Sequence, residues 1–194
     1  MDKVVHLKDG TPVRIRPLDM NDLDLCLAFF QGLPEEDREY LRADVTKRSV
    51  VEQRIREMDS GKYLRLIALV DDQVIADGAI ELAGHEWTCH VGEMRLIVAK
   101  QYQRRGLGML MARELYSLAA SAKVEQILVS IARPQVAARS ICHKLGFREE
   151  VVLTNHIKDL SGHRQDLILM RCDLEAIWRE LESFFADSDW RRAR

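Results

Sequence analysis

Apolar and polar residues alternate along this chain in two periods, and the switches between them lay out its elements. Val13, Ile15 and Leu18, spaced by Arg14, Arg16 and Pro17, read as a short first strand. Asp19 or Asn21 caps a helix from about Asp22 to Gln31, which Gly32 and Pro34 break. A second helical region, in two pieces, runs from about Glu35 to Asp59 and ends at Ser60-Gly61. Tyr63 to Val70 and Val74 to Leu82 are strands, and Asp71-Asp72-Gln73 turns them into a hairpin. A long strand from about Cys89 to Ala99 leads through a glycine loop into a helix from Met109 to Ala122. Glu125 to Ile131 is a short, buried-looking strand. A further helix opens near Gln135 and closes at Gly146. Phe147 to Leu153 and Asp166 to Cys172 are the last strands, flanking a polar segment, Asn155 to Arg164, with a turn at Gly162.

A sheet interrupted by helices in this order is an α/β or α+β sandwich. After Asp173 the pattern changes. Leu174, Ile177, Trp178, Leu181, Phe184 and Phe185 recur at helical spacing, and Trp190 to Arg194 reads as a frayed tail. That helix packs on its own domain or makes a subunit contact, so a homodimer is one expectation.

Composition narrows the picture. A chain of 194 residues is one domain, or one domain with an appendage. A net charge of −2, well mixed, gives no reason to expect nucleic acid as a partner. Cys26, Cys89, Cys142 and Cys172 are far apart and form no C-x-x-C pair, and the six histidines have no H-x-x-x-H spacing, so no metal is expected. The first residues hold no signal-like apolar region and no apolar run approaches a membrane span. The expectation is a cytoplasmic protein with reduced cysteines and no membrane partner.

Candidate chemistry concentrates in Gln103-Arg104-Arg105-Gly106-Leu107-Gly108, between the long strand and the helix. Glycines there let the backbone approach a ligand. The amides that open the helix have no helical partner, and the positive end of the helix dipole favours an anion such as a pyrophosphate. Arg104 and Arg105 add positive charge. Met109 and Leu110 after Gly108 exclude a P-loop, and Met111 excludes the third glycine of a Rossmann fingerprint.

The second motif is Gln135-Val136-Ala137-Ala138-Arg139-Ser140-Ile141-Cys142-His143-Lys144-Leu145-Gly146-Phe147. The pair resembles the acetyl-CoA-dependent N-acetyltransferase (GNAT) superfamily. Its Arg/Gln-x-x-Gly-x-Gly/Ala loop is matched at Gln103, Gly106 and Gly108, and its Asn-x-x-Ala-x-x-Leu-Tyr-x-Lys-x-Gly-Phe helix at Ala138, Lys144, Gly146 and Phe147. The resemblance runs from about Thr11 to Cys172 and leaves 173–194 as a C-terminal helix and tail. It implies a mixed, mostly antiparallel sheet of about seven strands flanked by helices.

The resemblance also implies roles. Acetyl-CoA would be the co-substrate and an amine the acceptor. The pyrophosphate would sit on amides of Arg104, Arg105, Gly106, Leu107, Gly108 and Met109, beside Gln103. Main-chain groups of Leu96, Ile97 and Val98 would serve the pantetheine and the oxyanion, and Gln135 takes the place of the family's asparagine. Glu93, ten residues before Gln103, matches the glutamate of bacterial protein-lysine acetyltransferases and is the candidate base. A cleft position would raise its pKa. The alternative is an ordinary pair with Arg95. Cys142 stands where the family places the tyrosine acid, so the acid is Cys142 or water, or the enzyme is impaired. The segment from Phe29 to Arg42 resembles the opening of the protein-lysine acetyltransferases, with a Phe-Phe turn followed by an arginine. Asp71, Asp72, Asp77, Glu81 and Glu86 are candidates for an acidic acceptor cleft. Small amines and protein lysines both remain open as acceptors, and a non-catalytic acyl-CoA-binding protein is the alternative.

Overall fold

The structure is a computed structural model that describes residues 2–84, 86–159 and 161–175. Its centre is an eight-stranded sheet in the order β1-β2-β3-β4-β5-β6-β8-β7. The strands are β1 (Lys3–His6), β2 (Pro12–Pro17), β3 (Tyr63–Val70), β4 (Gln73–Leu82), β5 (Val91–Val98), β6 (Gln126–Ala132), β7 (Arg148–Lys158) and β8 (Arg164–Asp173). The helices are α1 (Leu23–Gln31), α2 (Glu35–Arg38), α3 (Arg48–Arg56), α4 (Leu107–Ser121) and α5 (Val136–Lys144). Every neighbouring strand pair is antiparallel except β5 and β6.

β3 is buried along most of its length because both of its faces are covered. Leu66 and Ala68 face the layer made by α4, where Leu107, Met111, Ala112, Leu115 and Ala119 form one fully buried stripe at helical spacing. Ile67 and Leu69 face the opposite layer, built from Phe29 and Phe30 of α1 and Val51 and Ile55 of α3. Each large apolar side chain among these contributes about 1.5–3 kcal/mol on burial, so the two layers clamp the sheet between them.

Two elements depart from the sequence expectation. β1 precedes the expected boundary at Thr11 yet pairs with β2 from Lys3↔Ile15 to His6↔Pro12. Its residues are mostly exposed, so it carries little hydrophobic signal. β7 runs on to Lys158 through a segment expected to be a polar connection. It is an edge strand that is exposed almost throughout, and its register shifts between Leu153 and Ile157, with Asn155 at φ 53°. The expected C-terminal helix falls almost wholly outside the described residues; Leu174, at its start, is buried.

Candidate active site

β5 and β6 pair over three positions only, Val91↔Gln126, Gly92↔Ile127 and Glu93↔Leu128. Beyond Glu93 the two strands part, while β5 stays paired with β4 to Ala76↔Val98. The Ala99 N–H donates to the Ile75 carbonyl at 2.9 Å, and the Ala83 N–H to Val91 at 3.2 Å. Antiparallel residues alternate between bonded and non-bonded pairs. In this register Glu93, Arg95 and Ile97 therefore turn their main-chain groups to β4, and Met94, Leu96 and Val98 turn theirs into the gap. Of the three main-chain candidates, Leu96 and Val98 face the gap and Ile97 does not. The Val98 carbonyl accepts from Gln103 Nε2 at 3.0 Å, which closes the loop back on its own strand.

The loop itself is built for exposed amides. Arg104 (φ 60°) and Gly106 (φ 94°) both lie in the left-handed region, and Gly106 is the N-cap of α4. That conformation suits glycine and costs other residues about 1–2 kcal/mol. No side chain caps the first turn of α4, and the first helical bond goes from Leu110 N–H to the Gly106 carbonyl at 3.2 Å. The amides of Leu107, Gly108 and Met109 are thus left for another acceptor. Fully buried Leu107 anchors the turn, and a Cβ at Gly108 would meet nothing within 4 Å. Gln103, Arg104, Arg105 and Met109 are exposed around it. Arg105 Nη1 lies 3.1 Å from Asp9 Oδ2, and its guanidinium lies over the Tyr102 ring at 5.4 Å.

Glu93 lies at the point where the strands part. Arg42 clasps its carboxylate with both Nη atoms, one of them at 3.0 Å, and the Ser130 hydroxyl donates to Oε1 at 2.7 Å. Arg95 Nη2 is 3.7 Å away and is bonded to Glu81. Burial alone would push the Glu93 carboxyl up, but Arg42, Ser130 and Arg95 together hold it below the usual carboxylate range. The expected raised pKa is thus corrected: these donors outweigh the cleft. The expected pairing with Arg95 is real but secondary to Arg42, which comes from the connection 39–47.

Cys142 is 8 % exposed and packed in the α4-side core with Leu145 and Phe147. Burial, with Cys172 nearby, pushes its thiol up to about 11. The Tyr116 hydroxyl donates to the Leu145 carbonyl at 3.0 Å. Gln135 Oε1 accepts from the Ala132 amide at 2.9 Å and so ties the end of β6 to the start of α5. Among the five acidic candidates, Asp77 bonds Arg54 at 2.9 Å and Glu81 accepts from Tyr63 at 3.1 Å on the α1–α3 face. Asp71 and Asp72 sit in the β3–β4 turn and Glu86 is exposed, so the five do not form one acidic cleft.

Sequence reasoning missed Ser130 and the role of Arg42. Ser130 is the one hydroxyl in the apolar run Ile127 to Ala132, and Arg42 is the arginine of the Phe-Phe turn pattern. Both were visible as residues, but the partner that joins them was not.

The fold that carries this strand and helix is shared with acetyltransferases of known structure. Residues 62–149 match the family model described as Acetyltransferase (GNAT) domain. Over 109 residues, 56% of this chain and 70% of the relative, it is 27% identical to the ribosomal protein bS18-alanine N-acetyltransferase of Salmonella typhimurium. The GNAT domain of S. lividans PAT superposes with a TM-score of 0.74 at 15% identity, covering 89% of this chain and 96% of that one. A putative acetyltransferase of Salmonella typhimurium, yncA, solved with acetyl-CoA, superposes with a TM-score of 0.70 at 18% identity, covering 84% and 94%. Among the described residues no helix is long and apolar enough to cross a membrane.

Proposed function

We infer that this GNAT domain transfers acetyl from acetyl-CoA to an amine held beside Glu93. The observation that carries the reading is the union of the β5–β6 gap with the uncapped start of α4. The residues fit the co-substrate on three counts: free amides at Leu107, Gly108 and Met109, open space over Gly108, and main-chain groups of Leu96 and Val98 facing the gap. Bound there, acetyl-CoA supplies an activated acetyl thioester.

The chain's own residues then have separable tasks. The amides of 107–109, with Arg104 beside them, hold the pyrophosphate, and Gln103 keeps the loop closed on Val98. The amides of Leu96 and Val98 are placed to donate to an oxygen that gains charge in the gap. Glu93 is ionised and receives the ammonium proton of the acceptor, directly or through one water. Arg42 occupies the Glu93 carboxylate in the resting structure, so a cationic amine competes with its guanidinium for that carboxylate. The burial of Cys142, away from the gap, favours water as the donor to the leaving thiolate.

CoA-thiol release from acetyl-CoA, measured with one pool of small amines and one of lysine-bearing peptides, tests the reading against Glu93→Gln. Suppressed release, most marked below the pKa of the amine, is the expected result. Rates unchanged across pH would dismiss Glu93, and no release from either pool with acetyl-CoA still bound would move the function to acyl-CoA binding.

A further inference from the structure

The α1–α3 face of the sheet carries a row of charge beside Glu93, and its arithmetic does not close. Three carboxylates are each matched to an arginine: Glu93 to Arg42, Glu81 to Arg95 and Asp77 to Arg54. On the flanking strand Arg16 is matched to Asp22. Arg65, opposite Ala79 on β4, is left over. It is 6 % exposed, no ion pair among the described residues includes it, and its Nε is buried with no hydrogen-bond partner. Its guanidinium lies over the Tyr63 ring at 4.8 Å, and the Tyr63 hydroxyl is already given to Glu81. Asp77 acts on it electrostatically but spends its hydrogen bond on Arg54.

A buried guanidinium with no carboxylate bonded to it is costly, and a planar fork of donors matches a carboxylate. Tyr63, Glu81 and Glu93 lie in register across three adjacent strands. The cation over Tyr63 is therefore two strand spacings, about 10 Å between backbones, from the carboxylate that faces the acceptor amine. We propose that Arg65 is an anion subsite for the acceptor, and that the acceptor is a small amine carrying a carboxylate a short chain away. The amine position rests on the acetyl-transfer reading above; the anion subsite does not.

The test uses the full chain loaded with CoA. Its probes are short-chain amino acids, their carboxamides, the decarboxylated amines and the matching aminophosphonates. Calorimetry reads affinity, and CoA release from acetyl-CoA is followed separately. The carboxylate should bind about tenfold or more tighter than the carboxamide. Arg65→Met and Arg65→Gln should each bring that ratio to within about twofold of one, with acetyl-CoA affinity retained. Arg65→Met should also melt no lower than the parent, because it removes an unneutralised buried cation; a guanidinium kept only for packing would lower the melting temperature and leave the ratio intact. A parent protein indifferent to the carboxylate, or a preference that survives Arg65→Gln, overturns the proposal. A preference for the aminophosphonate overturns the choice of carboxylate. Carboxylate binding lost in the variants but never followed by CoA release leaves the subsite standing and removes the acetyltransferase reading instead.

Discussion

Substituting Gly106 by alanine separates the fold from the site. At φ 94° the N-cap of α4 sits where a Cβ is strained, although the space is not crowded: the nearest atoms are in the Lys8 side chain at 3.6 Å. The cost is then conformational, about 1–2 kcal/mol. In a domain of this size 1 kcal/mol shifts melting by roughly 2–4 °C, so Gly106→Ala should melt about 2–8 °C lower. The chain can relieve the strain by rotating the 105–106 peptide toward right-handed φ, and that rotation turns the loop amides away from a common point. Acetyl-CoA at a hundred times its dissociation constant stabilises a binding-competent protein by about 2.7 kcal/mol. That corresponds to a rise of roughly 5–11 °C, and the variant should show almost none of it. Gly108→Ala is the control, because a Cβ there meets nothing within 4 Å and lies inside the first turn of α4. It should melt at or above the parent temperature, which separates the left-handed strain at Gly106 from the effect of a Cβ in this turn. Paired melts with and without acetyl-CoA decide the matter. A Gly106→Ala protein that melts low but gains the full rise would show that the loop does not carry the pyrophosphate.

Three further predictions follow from particular contacts. A Cβ at Gly92 would come within 2.7 Å of Cγ2 of fully buried Ile80, so Gly92→Ala should cost about 1–3 kcal/mol in urea denaturation; an unchanged midpoint would refute the close approach. Asp22 accepts from both Nη atoms of Arg16 at 2.6 and 2.7 Å and from the Asp19 amide at 2.7 Å, and Arg16 above all holds its carboxyl below the usual range. Its contribution is complete above the unfolded carboxyl pKa of about 4 and is lost as pH falls through the lower folded value. Asp22→Asn should therefore cost about 3 kcal/mol at pH 7, with the difference from the parent shrinking below about pH 4; a difference independent of pH would contradict the ion pair. Cys142→Ala should lower stability by about 1 kcal/mol and leave the pH profile of CoA release unchanged, whereas a selective loss of rate at high pH would return the proton to the thiol.

The sequence told most where burial and local geometry speak together. The β3–β4 hairpin, the helix after the glycine loop and the strand before it were legible because alternation and glycine punctuation are properties of neighbours. β1 and the second half of β7 were not, because an exposed edge strand has almost no hydrophobic signature and is held by its partner's main chain. The candidate site divides along the same line. Gln103, Gly106 and Gly108 form a local motif that lies between the end of β5 and the first turn of α4. The environment of Glu93 is not local: it combines Arg42, 51 residues upstream, with Ser130, 37 residues downstream. Nothing within a short window distinguishes a glutamate raised by a dry cleft from one lowered by two donors and a neighbouring cation. That difference bears on the chemistry, because a low-pKa carboxylate is always ionised at neutral pH but is a weak proton acceptor. On the acetyl-transfer reading, the pairing with Arg42 would make Glu93 a recogniser of cations first and a base second. On that reading it would gain basicity only as an incoming amine displaced the guanidinium, so Arg42→Ala should move the acid limb of the rate profile upward while Glu93→Gln removes it.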